Sequence, residues 1–280
     1  MDWFLTPLEV GFVARALYAG LLVSGLCALA GTWVVLRGMA FLGDAMAHGM
    51  LPGVAIAALA GGNLFLGAAV GAVSMSVGVT ALSRNPRLSQ DTGIGLLFAG
   101  MLALGVIVVS HSKSFAVDLT GFLFGDVLAV RGTDLVTLAV ALAAAAAVAV
   151  LGHRSFTALA FDRRKAATLG LRPRLAHAVL CGLLTLAITA SFQVVGTLLV
   201  FGLLIAPPAA MTLWAQRIPA IMIGSFVLGA LAVVIGLLVS WHLGTAAGAT
   251  IAATAVLGFF AAALADRLRG LRPATQSPTP

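Results

Sequence analysis

Charge is scarce in this sequence. Asp, Glu, Lys and Arg together make up 9% of its 280 residues, against about 25% in an ordinary soluble domain. With 61% hydrophobic residues and a mean hydropathy of +1.12, that shortage excludes a soluble globular domain. Cysteine is nearly absent too. Cys27 and Cys181 stand far apart in apolar runs, which excludes a disulfide framework or zinc-finger spacing and reads as two buried helix residues. No Gly-x-x-x-x-Gly-Lys-Ser/Thr stretch occurs, so the chain has no P-loop for ATP. Neither a Ser/His/Asp nor a His-Glu-x-x-His arrangement suggests an embedded hydrolase. No basic segment followed by a cleavage site opens the chain, so no removable signal peptide is expected. Acid is scarcer than base, and the net charge is +7. That excess does not point to nucleic acid, because the basic residues cluster in short loops between apolar runs, where they orient helices.

What is there is a series of apolar runs, near residues 12–36, 41–60, 64–82, 93–110, 135–151, 176–190, 194–214, 218–240 and 245–264. About 20 residues suffice to span a bilayer. The expected fold is therefore all-α, a polytopic helical membrane protein with eight or nine transmembrane segments. One membrane-embedded domain covers residues 1–265, and a basic, Pro-, Ser- and Thr-rich tail at 266–280 is expected to be disordered. The loops at 84–87 and 154–174, Arg217 and residues 267–272 carry Arg and Lys, whereas the turns at 61–63, 191–195 and 241–245 carry no formal charge. That alternation puts the basic loops and the C-terminus in the cytoplasm. If all nine runs cross, the N-terminus is outside; if one is re-entrant, it is inside.

The stretch Phe41-Leu-Gly-Asp-Ala-Met-Ala-His-Gly-Met-Leu-Pro-Gly53 sets Asp44 and His48 inside an apolar run. On a helix these two lie one turn apart on one face. An ionisable residue near a bilayer centre is unfavourable by about 2.5–3.5 kcal/mol on insertion scales, so it needs a partner, water or an ion. A carboxylate and an imidazole so placed can share one divalent cation, and the donor set suits zinc, manganese or ferrous iron better than calcium or magnesium. Two ligands leave the shell incomplete, as a transit site requires. The structural alternative is a pair held to each other, or Asp44 held to Arg37. Pro52 cannot donate to the His48 carbonyl, so a kink is expected beside the pair. Met46 and Met50 lie on another face, where packing is favoured over copper ligation.

Other polar groups have bland and sharp readings. Asp118 and Asp126 flank Gly121 and Gly125 in a segment too short to cross; they can draw cations to an outer mouth or serve as caps. His111, His153, His177 and His242 each stand alone, with His153 and His177 expected in solvent beside the basic loop and His242 at an interface beside Trp241. Pro207-Pro208 suggests either a packing kink or a broken helix whose freed carbonyls face a pathway. Residues 153–175 carry six basic residues against Asp162 alone. Within them 161–170 reads as a short helix, Asp162 at its start and Gly170 at its stop. It is either a solvated face or a docking helix for a cytoplasmic partner.

Several of these pieces resemble one family, the integral-membrane permease subunit of bacterial zinc/manganese (metal-ion) ABC importers. They are the 41–54 stretch, Val117-Asp-Leu with Phe124-Gly-Asp-Val-Leu-Ala-Val130, Phe161-Asp with Ala166-Ala and Leu169-Gly-Leu171, and Val195-Gly-Thr-Leu-Leu-Val with Leu204-Ile-Ala-Pro-Pro-Ala-Ala210. They occur in the family's order from about residue 12 to 265, and the 117–130 stretch looks most like the zinc branch. The stretch Ser240-Trp-His-Leu-Gly244 departs from the family in lacking an acidic residue and a proline, and Pro208 doubles a proline.

The resemblance implies an all-helical permease in the bacterial inner membrane that pairs with a second copy of itself. Two cytoplasmic ATP-binding subunits would dock below, and a periplasmic or lipid-anchored metal-binding protein would deliver the ion above. It implies that Asp44 and His48 hold the metal in transit. Asp162, Arg163, Arg164, Lys165, Ala166, Leu169 and Gly170, within a cytoplasmic coupling loop at 153–175, would meet the ATPase. Asp118, Asp126 and Pro207 are candidates for the pathway or outer mouth. No permanent cofactor and no nucleic acid are implied; zinc is the favoured cargo, with manganese or iron as alternatives. A stand-alone secondary transporter with Asp44 and His48 as its cation or proton site is the competing reading. It predicts ligand residues in both halves, and no second Asp-x-x-x-His is present. A non-transporting scaffold would have no use for ionisable groups inside the membrane.

Overall fold

The computed structural model describes residues 10–83, 89–110, 127–161, 168 and 170–270. Those residues form α1 (Gly11–Leu36), α2 (Ala40–Gly49), α3 (Leu51–Leu59), α4 (Leu64–Leu82), α5 (Gln90–Ser110), α6 (Gly132–Phe161), α7 (Pro173–Val195), α8 (Thr197–Trp214), α9 (Ile218–Leu243) and α10 (Ala247–Gly270). A single 3-10 turn, Val127–Ala129, precedes α6. With α2 and α3 taken as one broken span, nine helical segments among the described residues are long and apolar enough to cross a bilayer. The chain is a polytopic helical membrane protein.

The turns follow from local chemistry. The Asn63 side chain caps α4 by accepting from the Phe65 and Leu66 amides at 2.8 and 3.4 Å, satisfying donors that a helix start leaves unpaired. Gly244 ends α9 in the left-handed region, with φ of +63°, where a side chain is disfavoured. Gly170 has φ of +72°; the short helix expected before it lies mostly outside the described residues.

α1 is the hub, packing on α6, α7, α8 and α9. It runs parallel to α8: Cys27 Sγ lies 3.7 Å from the Val200 carbonyl, and Gly31 meets Leu204 and Pro208 four residues further along. It runs antiparallel to α9, where Gly20 meets Val233 and Gly229 meets Ser24. α3 and α4 cross at Gly53 and Gly67, each backbone filling the place of the other's missing side chain. Lipid gives helices no hydrophobic reason to associate, so such backbone-to-backbone approaches carry the packing. Apolar residues of α4, α5, α6, α9 and α10 remain exposed, among them Val70, Leu96, Val140, Leu231 and Phe260.

One open choice is decided and one expectation changes here. α8 is continuous through Pro207 and Pro208, which favours the packing reading over the broken helix. Pro208 leaves the Leu204 carbonyl without its helical donor, and that carbonyl points at the bare Cα of Gly31, the close carbonyl-to-glycine contact seen at helix interfaces. It faces a neighbouring helix. α6 runs to Phe161, ten residues past the expected end at Leu151.

The Gly31 contact gives a direct test. A methyl group there meets backbone, which cannot swing aside. Gly31→Ala is expected to lower the unfolding midpoint in detergent by on the order of 5 °C. Gly95→Ala, where nothing stands within 4 Å, is expected to leave it unchanged.

Candidate metal site on the broken span

α2 buries Leu42, Gly43, Ala45, Met46, Ala47 and Gly49. Its remaining stripe holds Phe41, Asp44 and His48, and it packs on α5, where Phe98 stacks edge-on against both Phe41 and His48 at centroid distances of 5.4 and 5.6 Å. The small residues are required by the neighbours: Gly49 meets Met75 of α4, and Gly43 meets Leu204 of α8. Helicity lapses at Met50, and α3 restarts with Pro52 in its first turn, as expected from a proline that cannot donate to the His48 carbonyl.

Asp44 and His48 do face one another. His48 Nε2 lies 3.5 Å from Asp44 Oδ1, with the side chains 25% and 31% exposed respectively. That separation is long for a hydrogen bond, which prefers about 2.7–3.2 Å. Two donors each about 2.1 Å from one ion, at tetrahedral to octahedral angles, lie roughly 3.0–3.5 Å apart. The pair is therefore spaced to chelate a cation. His48 Nδ1 is buried and has no hydrogen-bond partner among the described residues, so none of these holds the imidazole by a second polar contact. Phe98 does that instead through its ring edge.

No group of three or more His, Cys, Asp or Glu able to hold a metal occurs among the described residues. The pair is an open, two-ligand site whose other positions would come from water, cargo-side groups or residues outside that set. Arg37 does not join Asp44. Its Nη1 is 2.9 Å from Nδ1 of His177, and His177 is 3% exposed, which corrects its expected place in solvent. Met46 and Met50 are fully buried and sit against Thr185 and Thr189 of α7, so they are packing residues. His153 lies edge-on to Trp33, and His242 bonds the Leu238 carbonyl at 2.8 Å. Cys27 and Cys181 are free and buried.

Pro207 lines an apolar cavity of about 350 Å³ between α8, α9 and α10, to which α2 contributes no residue. Asp118, Asp126, Asp162, Arg163, Arg164, Lys165, Ala166 and Leu169 lie outside the described residues, as does His111.

The fold defines a multi-pass helical membrane protein. The chain belongs to the ABC 3 transport family, whose model matches residues 9–266. Among its relatives, the manganese transport system membrane protein MntC of Listeria innocua is 36% identical over 265 residues, 94% of each chain. A probable iron transport system membrane protein of Haemophilus influenzae is 37% identical over 253 residues, 89% of this chain and 92% of that one. The solved structure of PsaBC from Streptococcus pneumoniae in complex with Fab superposes with a TM-score of 0.80 at 33% identity, over 92% of this chain and 94% of that one.

The exposure difference between the two central histidines is measurable. Diethylpyrocarbonate is expected to modify His48 in detergent-solubilised protein and to spare His177, as read by peptide mass spectrometry. Protection of His48 with labelling of His177 would contradict the arrangement.

Proposed function

We propose that this chain is the membrane-spanning subunit of an ATP-driven importer of a divalent first-row transition metal, with Asp44 and His48 as the transit site. The observation that carries the reading is the 3.5 Å carboxylate–imidazole pair, half-exposed within a span. Nothing else in an apolar helix repays the insertion of two ionisable groups as directly as a passing cation. A hard oxygen and a borderline nitrogen suit manganese and iron as well as zinc. The relatives that carry manganese or iron in their names move the preference to those two metals and lend no support to the zinc branch favoured by the 117–130 stretch. An incomplete shell holds an ion loosely enough to let it go.

ATP hydrolysis belongs to a separate partner, since the chain has no P-loop. The basic stretch Asp162 to Gly170 is the contact we assign to that partner, in two copies beneath a permease homodimer. A metal-binding protein delivers the ion from the other side. The excess of Arg and Lys in alternate loops puts that stretch and the C-terminus in the cytoplasm, with the chain in the bacterial inner membrane.

Two variants test the site. Asp44→Ala and His48→Ala are each expected to reduce manganese-54 uptake by at least about tenfold, the loss of one of two ligands, while the complex still purifies intact. Loss of assembly with either variant would make the pair structural. Reversing the charges at Arg163, Arg164 and Lys165 is expected to abolish co-purification with the ATP-binding subunit; an intact complex would move the contact elsewhere.

A further inference from the structure

α7 begins at Pro173, immediately after the basic loop, and it runs parallel to α2. Three contacts fix that register. Arg37 at the entry to α2 meets His177 at 2.9 Å, Met46 Sδ meets Thr185 Oγ1 at 4.0 Å, and Met50 Sδ meets Thr189 Oγ1 at 3.7 Å; the sequence separations are 140, 139 and 139. The two segments stay in step over roughly 20 Å, at 1.5 Å per residue. α7 thus presents His177, Cys181, Thr185 and Thr189, four residues apart, as a polar row along a buried face.

The chemistry of the row is determinate at its end. A guanidinium has donors only, so His177 Nδ1 accepts from Arg37 and the imidazole proton sits on Nε2. That nitrogen is 3.8 Å from Cys181 Sγ. The Thr185 hydroxyl donates to the Cys181 carbonyl at 2.9 Å, so its approach to Met46 is van der Waals contact. The Thr189 hydroxyl is aimed at the Met50 sulfur. The firm joint is therefore Arg37–His177, and the two methionine contacts keep the register beyond it.

Asp44 and His48 lie about 200° round the helix from Met46. α7 grips the face of α2 that the ligand pair does not use, while Phe98 of α5 touches the face that it does use. We infer that Arg37 and His177 are positioning residues for transport: their bond makes α2 travel with α7, so that displacement of the loop before Pro173 moves Asp44 and His48 relative to α5. The inference rests on the assignment of that loop to the ATP-binding subunit. A polar contact between packed helices is suited to this, because it specifies one register where apolar side chains tolerate sliding.

The test measures manganese imported per ATP hydrolysed in proteoliposomes holding the assembled complex and a metal-loaded binding protein. His177→Leu and Arg37→Gln, which remove the acceptor and the charged donor, are expected to lower that ratio at least tenfold, with ATP hydrolysis within twofold of wild type. His177→Asn, whose amide oxygen can stand where Nδ1 stands, is expected to stay within threefold. Only complex purified intact is assayed, and if His177→Leu does not assemble, Arg37→Gln at the half-exposed turn decides. An unchanged ratio in Arg37→Gln, or uptake and hydrolysis falling in proportion, would overturn the inference. Asp44→Ala in the same vesicles separates the two levels: retained uptake there defeats the transit-site reading, whereas lost uptake beside unchanged ratios at positions 37 and 177 defeats only the joint.

Discussion

A helix inside hydrocarbon has no water to finish its hydrogen bonds, and the architecture turns on how this chain meets that constraint. Wherever a proline removes a donor, a carbonyl must find another partner. Pro208 frees the carbonyl of Leu204, and Gly31 of the central helix receives it. Because that contact requires a bare Cα, it brings α1 and α8 to backbone contact and aligns them in parallel. α9 packs on the same stripe of α1, where the Val233 side chain covers Gly20 and Ser24 covers Gly229. The hub is thus built on small residues, meeting backbone at Gly31 and side chains at Gly20 and Gly229.

The second proline acts differently. Pro52 interrupts the span after His48, and the residues before the interruption form a short helix with two distinct faces. One face is apolar and soft, Met46 and Met50 against α7. The other is polar, Asp44 and His48 against α5. A short, separately anchored helix can shift as a unit between two neighbours more readily than a through-going span, which is locked along its whole length. Family membership and the fold agree with a permease, and α2 is divided between a face packed on α7 and a face turned to α5.

Much of this was legible in the sequence because its signals are local. The spans are runs of apolar residues, the Asp44/His48 pairing follows from a spacing of four, and the break follows from one proline. What escaped depends on distant partners or on a change of solvent. His177 stands beside a basic loop and reads as solvated, but Arg37, 140 residues away, buries it. Pro207-Pro208 leaves a packing kink and a broken helix equally open, because the glycine that meets the freed carbonyl lies in α1. The last ten residues of α6 include Gly152, His153 and Arg154, which read as loop. A helix leaving hydrocarbon no longer needs apolar residues, only a surface to lean on, and Trp33 supplies that surface to His153 and Phe156.

That extension bears on how the molecule sits in its lipid. Thirty residues of α6 make a rod of about 45 Å, against a hydrocarbon slab of about 30 Å. Trp33, three residues from the end of α1, is level with Phe156, five residues from the end of α6, so α6 overshoots its neighbour by about half a turn. The surplus must tilt the rod, thicken the bilayer around it, or stand clear of the headgroups. Where the surplus stands clear, Phe161 at the end of α6 sits on a stiff post above the lipid surface. Membrane thickness then becomes a variable that sets how far that end of α6 projects.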